Sequence, residues 1–202
     1  MKGLLLKDYY LIRSTLLFNL IVFIVIAAGM SFLVSTWVLT VLSTIMLGTL
    51  SVTTINLDKS SGWRKVSCVL PVSRKTIVDS KYALYLLLSG AGLVLGFVLG
   101  GAAALLKNEP DSASMLIFAG ISVAMALLSG SISIPCNLLL SEEKSIISLI
   151  LAYPLSAAVF IAASLLTGDR LVTCAVTAVL GVILYAVSWI FSRKFIARRD
   201  VA

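Results

Sequence analysis

The residues best equipped for chemistry lie in one stretch, DKSSGWRKVSCVLPVSRKTIVDSK, residues 58–81. Six bases (Lys59, Arg64, Lys65, Arg74, Lys75 and Lys81) stand there against two acids, Asp58 and Asp79. That mixture suits docking on an acidic surface rather than making or breaking bonds. The catalytic inventory elsewhere is thin. The chain has no histidine, which removes Ser–His hydrolysis, His-ligated zinc and HExxH proteolysis together. It has no GxxxxGK[ST] loop and no GxGxxG fingerprint, so it does not bind a nucleotide by those means. The adjacent acids Glu142 and Glu143 sit beside Lys144 in a short polar turn and read as a solvated face. Cys68, Cys136 and Cys174 show no metal-binding spacing and read as small reduced side chains. No catalytic residue, metal site or cofactor site is assigned.

The elements that position the 58–81 stretch are apolar. The 202-residue chain is 60% hydrophobic and 12% charged, about half the charged share of a soluble domain. Long apolar runs cover about 16–33, 37–57, 82–106, 115–140, 146–167 and 171–191. Each is long enough to cross a hydrocarbon core of about 30 Å as a helix. Membrane strands would instead be segments of about ten residues with alternating polarity. The sequence therefore predicts an all-α, polytopic integral membrane protein with six transmembrane helices, a single domain over 1–202.

Charge orients it. Fourteen of the sixteen bases flank one set of span ends, and Lys107 and Arg170 flank the other. The positive-inside bias places both termini and residues 58–81 in the cytoplasm. The same bias accounts for the net charge of +7 without a nucleic-acid partner, since the bases have no folded face to present them. A cleaved signal peptide ending near Ala27-Ala28-Gly29 is a rival for the start of the chain. The clusters LLL and YYLI within the first thirteen residues argue against it. MKGLLLKDYYLIR is expected either as a short amphipathic helix in the cytoplasmic interface, over 1–14, or as a basic flank of the first span.

Within 58–81, Trp63, Val66 and Leu70 recur at helical spacing, with Arg64 and Lys65 turned away. Leu70 precedes Pro71, which biases it out of the helical region and ends that piece. Ser73 is a good N-cap for a second piece, and Val72 can pack on Ile77 as a hydrophobic staple. That second piece would run through Lys81 into the third span, so a push on the loop could move a membrane helix. A connector needs only about four to six residues, so the excess length calls for a role. Two remain open on physics alone: docking a soluble partner, or lying on anionic lipid.

The spans carry no Asp, Glu, Lys or Arg near their middles; Asn19 and Asn137 are their strongest polar candidates. Ion-driven carriers generally need an intramembrane ionisable group, so transport here would draw energy from another chain. The second span holds Thr36, Thr40, Ser43, Thr44, Ser51 and Thr54 mostly on one side. They could line a wet substrate path, but bonding to their own backbone or a neighbouring helix is favoured. Gly92, Gly96 and Gly100 form overlapping GxxxG units for close helix packing, within one chain or between two. Pro135 and Pro154 fall inside the fourth and fifth spans and are expected to kink them.

DKSSGWRKVSCVLPVSRKTIVDSKY, between the second and third spans, resembles the small six-span permeases of type-2 ABC exporters. The shared features are an acid, then SGW, then LPVSRK and a Lys81–Tyr82 pair; MKGLLLKDYYLIR resembles their usual start. The residue after Asp58 is Lys59, where many relatives carry a second acid. The resemblance implies a transport subunit, not an enzyme, paired with a separate cytosolic ABC ATPase that binds ATP and Mg. It implies a second permease copy, a homodimer, in a bacterial plasma membrane. It also implies a cytoplasmic coupling helix in the 58–81 loop. Trp63, Arg64, Lys65 and Val66, with Pro71, Val72, Ser73, Arg74 and Lys75, then become the ATPase contacts. Members of this broad family export amphipathic and antimicrobial peptides, which makes such a peptide the expected substrate. The alternative is a six-span capture, immunity or sensor protein without energy coupling.

Overall fold

The structure is a computed structural model and describes residues 2–33, 35–63, 73–107, 112–140 and 142–198. Six helices follow one another: α1 (Lys2–Leu33), α2 (Val38–Ser60), α3 (Arg74–Leu106), α4 (Ser112–Leu139), α5 (Glu142–Thr167) and α6 (Arg170–Arg198). All six are long and apolar enough to cross a membrane, and there is no strand among the described residues. The six expected spans are thus six helices. With 33 residues and a rise of 1.5 Å per residue, α3 is about 50 Å long. Its first turns therefore reach beyond the apolar layer, carrying Asp79 and Lys81 with them.

The opening segment does not form a separate interfacial helix. It is the start of α1, which is unbroken over 32 residues. No Gly or Pro interrupts Leu4 to Ala28, so nothing locally ends the helix. Ile12 is buried in a small cluster with Leu47 and Leu50 of α2, which draws the segment against the bundle. Pro135 and Pro154 both lie inside helices that continue past them.

Helix α2 is the most buried element, and α1 and α5 are the least. It packs most extensively on α3, while α4 packs on α6. The glycine face of α3 explains the first contact. A methyl group on Gly92 would lie 2.6 Å from the Ser43 carbonyl oxygen, and one on Gly96 would lie 2.5 Å from Thr40 Cα. Those are backbone atoms that cannot turn aside, so only glycine admits this approach. The GxxxG units therefore serve packing within the chain. The largest buried cluster joins Val52 and Ile55 of α2, Val78, Tyr82 and Tyr85 of α3, Ile134 of α4 and Tyr185 of α6. Apolar side chains left on the outside, such as Phe18, Val98, Leu155 and Ile183, suit a surface whose solvent is lipid.

Local chemistry sets the turns. Gly168 has φ 67° and stops α5, then the Asp169 carboxylate accepts from Leu171 N (3.2 Å) to start α6. At the far end of the 58–81 loop, Ser73 Oγ accepts from Thr76 N at 3.2 Å, making Ser73 the N-cap of α3.

Candidate functional site

Four ionisable side chains meet where the starts of α1 and α3 pack against the end of α2. Lys81 of α3 donates to both carboxylate oxygens of Asp8 at 2.9 Å and to Thr54 Oγ1 at 3.1 Å. Its Nζ also lies 2.6 Å from Asp58 Oδ2. Lys7 pairs with Asp58, and sits 3.1 Å from Asp8. The Lys81 and Asp8 side chains are only 4% and 1% exposed.

Helical spacing assembles this site. Thr54 and Asp58 are four residues apart and present adjacent oxygens on one face of α2. An ammonium has three N–H donors, and Lys81 directs them at Asp8, Asp58 and Thr54. A carboxylate near the C-terminal end of a helix meets unfavourable carbonyl dipoles, and at Asp58 two lysines offset them. A lone buried charge costs several kcal/mol; two cations and two anions make this group neutral.

The site brackets the polar loop. Asp58 lies at its beginning and Lys81 at its end, and their ion pair holds the two ends together. The chain leaves α2 through a turn at Gly62, with φ 68°. It then places the Trp63 ring 4.4 Å from Lys7 Nζ, a cation–π contact.

A second set of contacts leaves the opposite face of α3. Asp79 is two residues from Lys81 and so points about 200° away around the helix. Its Oδ1 accepts from Trp189 Nε1 at 2.8 Å and lies 3.2 Å from Arg193 Nε. One turn on, the Tyr82 hydroxyl bonds Ser188 at 2.7 Å and Ser192 at 2.9 Å. Tyr185 OH donates to the Tyr82 carbonyl oxygen at 2.8 Å. The start of α3 is thereby tied to α1 and α2 on one side and to α6 on the other.

Of the loop residues singled out from sequence, Trp63 and Arg74 are half-buried, and Ser73 and Lys75 are exposed. Arg64, Lys65, Val66, Pro71 and Val72 lie outside the described residues. Thr36, just before α2, and Thr40, Ser43, Thr44, Ser51 and Thr54 of α2 are all buried in the single chain. Ser43 Oγ donates to Gly92 O at 2.6 Å, Thr44 to Thr40 O at 2.7 Å and Thr54 to Ser51 O at 2.8 Å. Thr40 Oγ1 and Ser51 Oγ have no partner among the described residues.

Asn137 is spent on a polar knot. It donates to Ser133 O at 2.7 Å and Ser148 Oγ at 3.2 Å, while Ser145 bonds both Asn137 and Asn56. Nearby, Lys59 Nζ donates to Leu140 O at 3.0 Å, placing a cation at the end of α4. Among the described residues no group of three His, Cys, Asp or Glu could hold a metal.

The sequence reading did not single out Lys7, Asp8, Asp79, Trp189 or Arg193 as site residues. The available signal was the scarcity of acid. The chain has nine acidic residues, and three of them, Asp8, Asp58 and Asp79, flank the basic ends of spans.

Six helices long and apolar enough to cross a membrane, joined through a charged loop base, define a multi-pass membrane protein. The family described as ABC-2 family transporter protein matches residues 3–197, and the chain belongs to that family as a membrane subunit of an ABC transporter. No curated protein and no solved structure matches it.

Proposed function

We propose that the chain is the permease of an ATP-driven exporter of amphipathic peptides, working as two copies with a cytosolic ABC ATPase. Both termini and the 58–81 loop face the cytoplasm of a bacterial cell in this reading, and the distribution of bases supports that orientation. The ATPase supplies ATP and Mg chemistry and docks on the loop through Trp63, Arg64, Lys65 and Val66, with Pro71 to Lys75. The observation that carries the proposal is the buried group Lys7–Asp8–Asp58–Lys81. It clamps both ends of the loop to three helices, so displacement of the loop moves helices instead of being absorbed by slack chain. Coupling further requires that the ATPase bind the permease's two forms with different affinity. The α2 hydroxyls, Thr40 and Ser51 among them, belong to the path exposed when the helices separate.

The test is reconstitution with a candidate ABC ATPase in inverted vesicles, following ATP-dependent uptake of a fluorescent amphipathic helical peptide. Uptake that needs both proteins supports the proposal. Peptide binding without ATP-dependent uptake would instead make the chain a capture or immunity protein. ATP-driven uptake of another solute would keep the transporter and remove the peptide.

A further inference from the structure

We infer that Asp79 is a positioning residue that carries displacement of the start of α3 into α6, an inference that rests on the exporter reading above. Asp79 stands six residues after the Ser73 cap, on the second turn of α3. Lys81, on the opposite face, serves α1 and α2, so it cannot account for any pull on α6. Asp79 Oδ1 accepts a hydrogen bond from Trp189 Nε1 of α6 at 2.8 Å and forms an ion pair with Arg193 of α6, whose Nε lies 3.2 Å away. The Arg193 guanidinium also lies 4.9 Å from the Trp189 ring centroid, so indole and guanidinium are arranged together around one oxygen.

Apolar packing alone between α3 and α6 would tolerate sliding, because it is not directional. Asp79 adds, at the rim, to the deeper directional bonds that join Tyr82 to Ser188, Ser192 and Tyr185. Hydrogen bonds to a carboxylate are directional and weaken steeply when misaligned. The side chains of Asp79 and Arg193 are 21% and 35% exposed, so this tie lies at the rim of the bundle, where it can be cut without opening the core. What α6 receives it passes on. A methyl group on Gly120 would lie 2.7 Å from Cys174 Cβ, and one on Gly181 would lie 2.9 Å from Leu127 Cβ, so α4 and α6 fit too closely to slip. The loop therefore drives two arms, Lys81 toward α1 and α2, and Asp79 toward α6 and α4.

Two readouts test this. In the permease alone, in nanodiscs, spin labels replace exposed Lys75 and Lys194, with Cys68, Cys136 and Cys174 changed to Ser. Asp79→Asn is expected to broaden the narrow α3–α6 distance distribution, and Asp79→Glu to keep it narrow. In vesicles with the ATPase, Asp79→Asn is expected to leave assembly and ATP hydrolysis unchanged. It should lower peptide moved per ATP by about fivefold or more, the lower end for an energetic coupling between sites, with Asp79→Glu restoring it. A distribution that stays narrow in Asp79→Asn, or unchanged transport per ATP, overturns the inference. Failure of any ABC ATPase to assemble with the wild-type chain removes the exporter reading and the transmitting role with it. That failure is separable, because the distance measurement needs no ATPase.

Discussion

Asp58 and Lys81 lie 2.6 Å apart at the two ends of the one long polar loop, one on α2 and the other on α3. The pair does not stand alone: Asp8 and Lys7 of α1 complete a neutral group of four. Removing Lys81 leaves an unbalanced charge beside Asp8 and Asp58, whose side chains are 1% and 11% exposed. Lys81→Ala should therefore cost about 3–5 kcal/mol, as for other broken buried pairs. Thermal unfolding of the detergent-purified chain, followed by helical circular dichroism, reads this as a large fall in midpoint.

Removing one cation and one anion together restores neutrality. Lys81→Met/Asp8→Asn should be less destabilised than the sum of its single changes, with an interaction of about 1 kcal/mol or more. Simple additivity in the same unfolding experiment would show that the four side chains do not act as a unit.

Salt should distinguish the two ties at the start of α3. Raising NaCl to about 1 M shortens the screening length to about 3 Å. The half-exposed Asp79–Arg193 pair then weakens, and the closed Lys81–Asp8 pair changes little. The destabilisation caused by Asp79→Asn should shrink at high salt, whereas that caused by Lys81→Ala should persist.

The glycines of α3 divide by what faces them. Gly92→Ala and Gly96→Ala drive a methyl group into the α2 backbone and should cost about 1–3 kcal/mol by overpacking. A methyl group on Gly90 or Gly101 would meet nothing within 4 Å, and alanine there should be neutral or stabilising by up to about 1 kcal/mol. Thermal midpoints of the four variants give the comparison directly.

Ser73→Ala removes the cap of α3 and should cost about 1 kcal/mol, with Ser73→Asp retaining most of it. Hydrogen exchange over residues 74–78 is the suitable probe, since the loss is local to the first turn.

The spans were legible in the sequence because a bilayer demands about twenty consecutive apolar residues, and the Ser73 cap because its signal is contained within four residues. The glycine face of α3 was legible as a packing surface, but its partner was not: only the fold shows Ser43, Thr44 and Thr40 opposite. The charged group was less legible for the same reason. Asp8 and Lys81 are 73 residues apart, and a carboxylate in a basic flank carries no local sign of burial. Asp79 and Trp189 are farther apart still, at 110 residues. At the start of α1 the composition left two readings open, an interfacial helix or a basic flank of the first span. Charges among apolar clusters resemble an interfacial helix, whereas Asp8 and Ile12 turn inward to α3 and α2 and keep the segment within one continuous helix.

The central claim is that residues 58–81 link this chain to an ATP-driven partner, and ATP hydrolysis by the assembled complex in lipid tests it most directly. Wild type is compared with Trp63→Ala and with Arg64→Glu/Lys65→Glu. A stable complex whose hydrolysis falls severalfold in both variants, about 1 kcal/mol or more of lost interaction, is the expected result. Assembly and turnover that ignore both changes would contradict the claim and leave the loop as an element lying on the lipid surface.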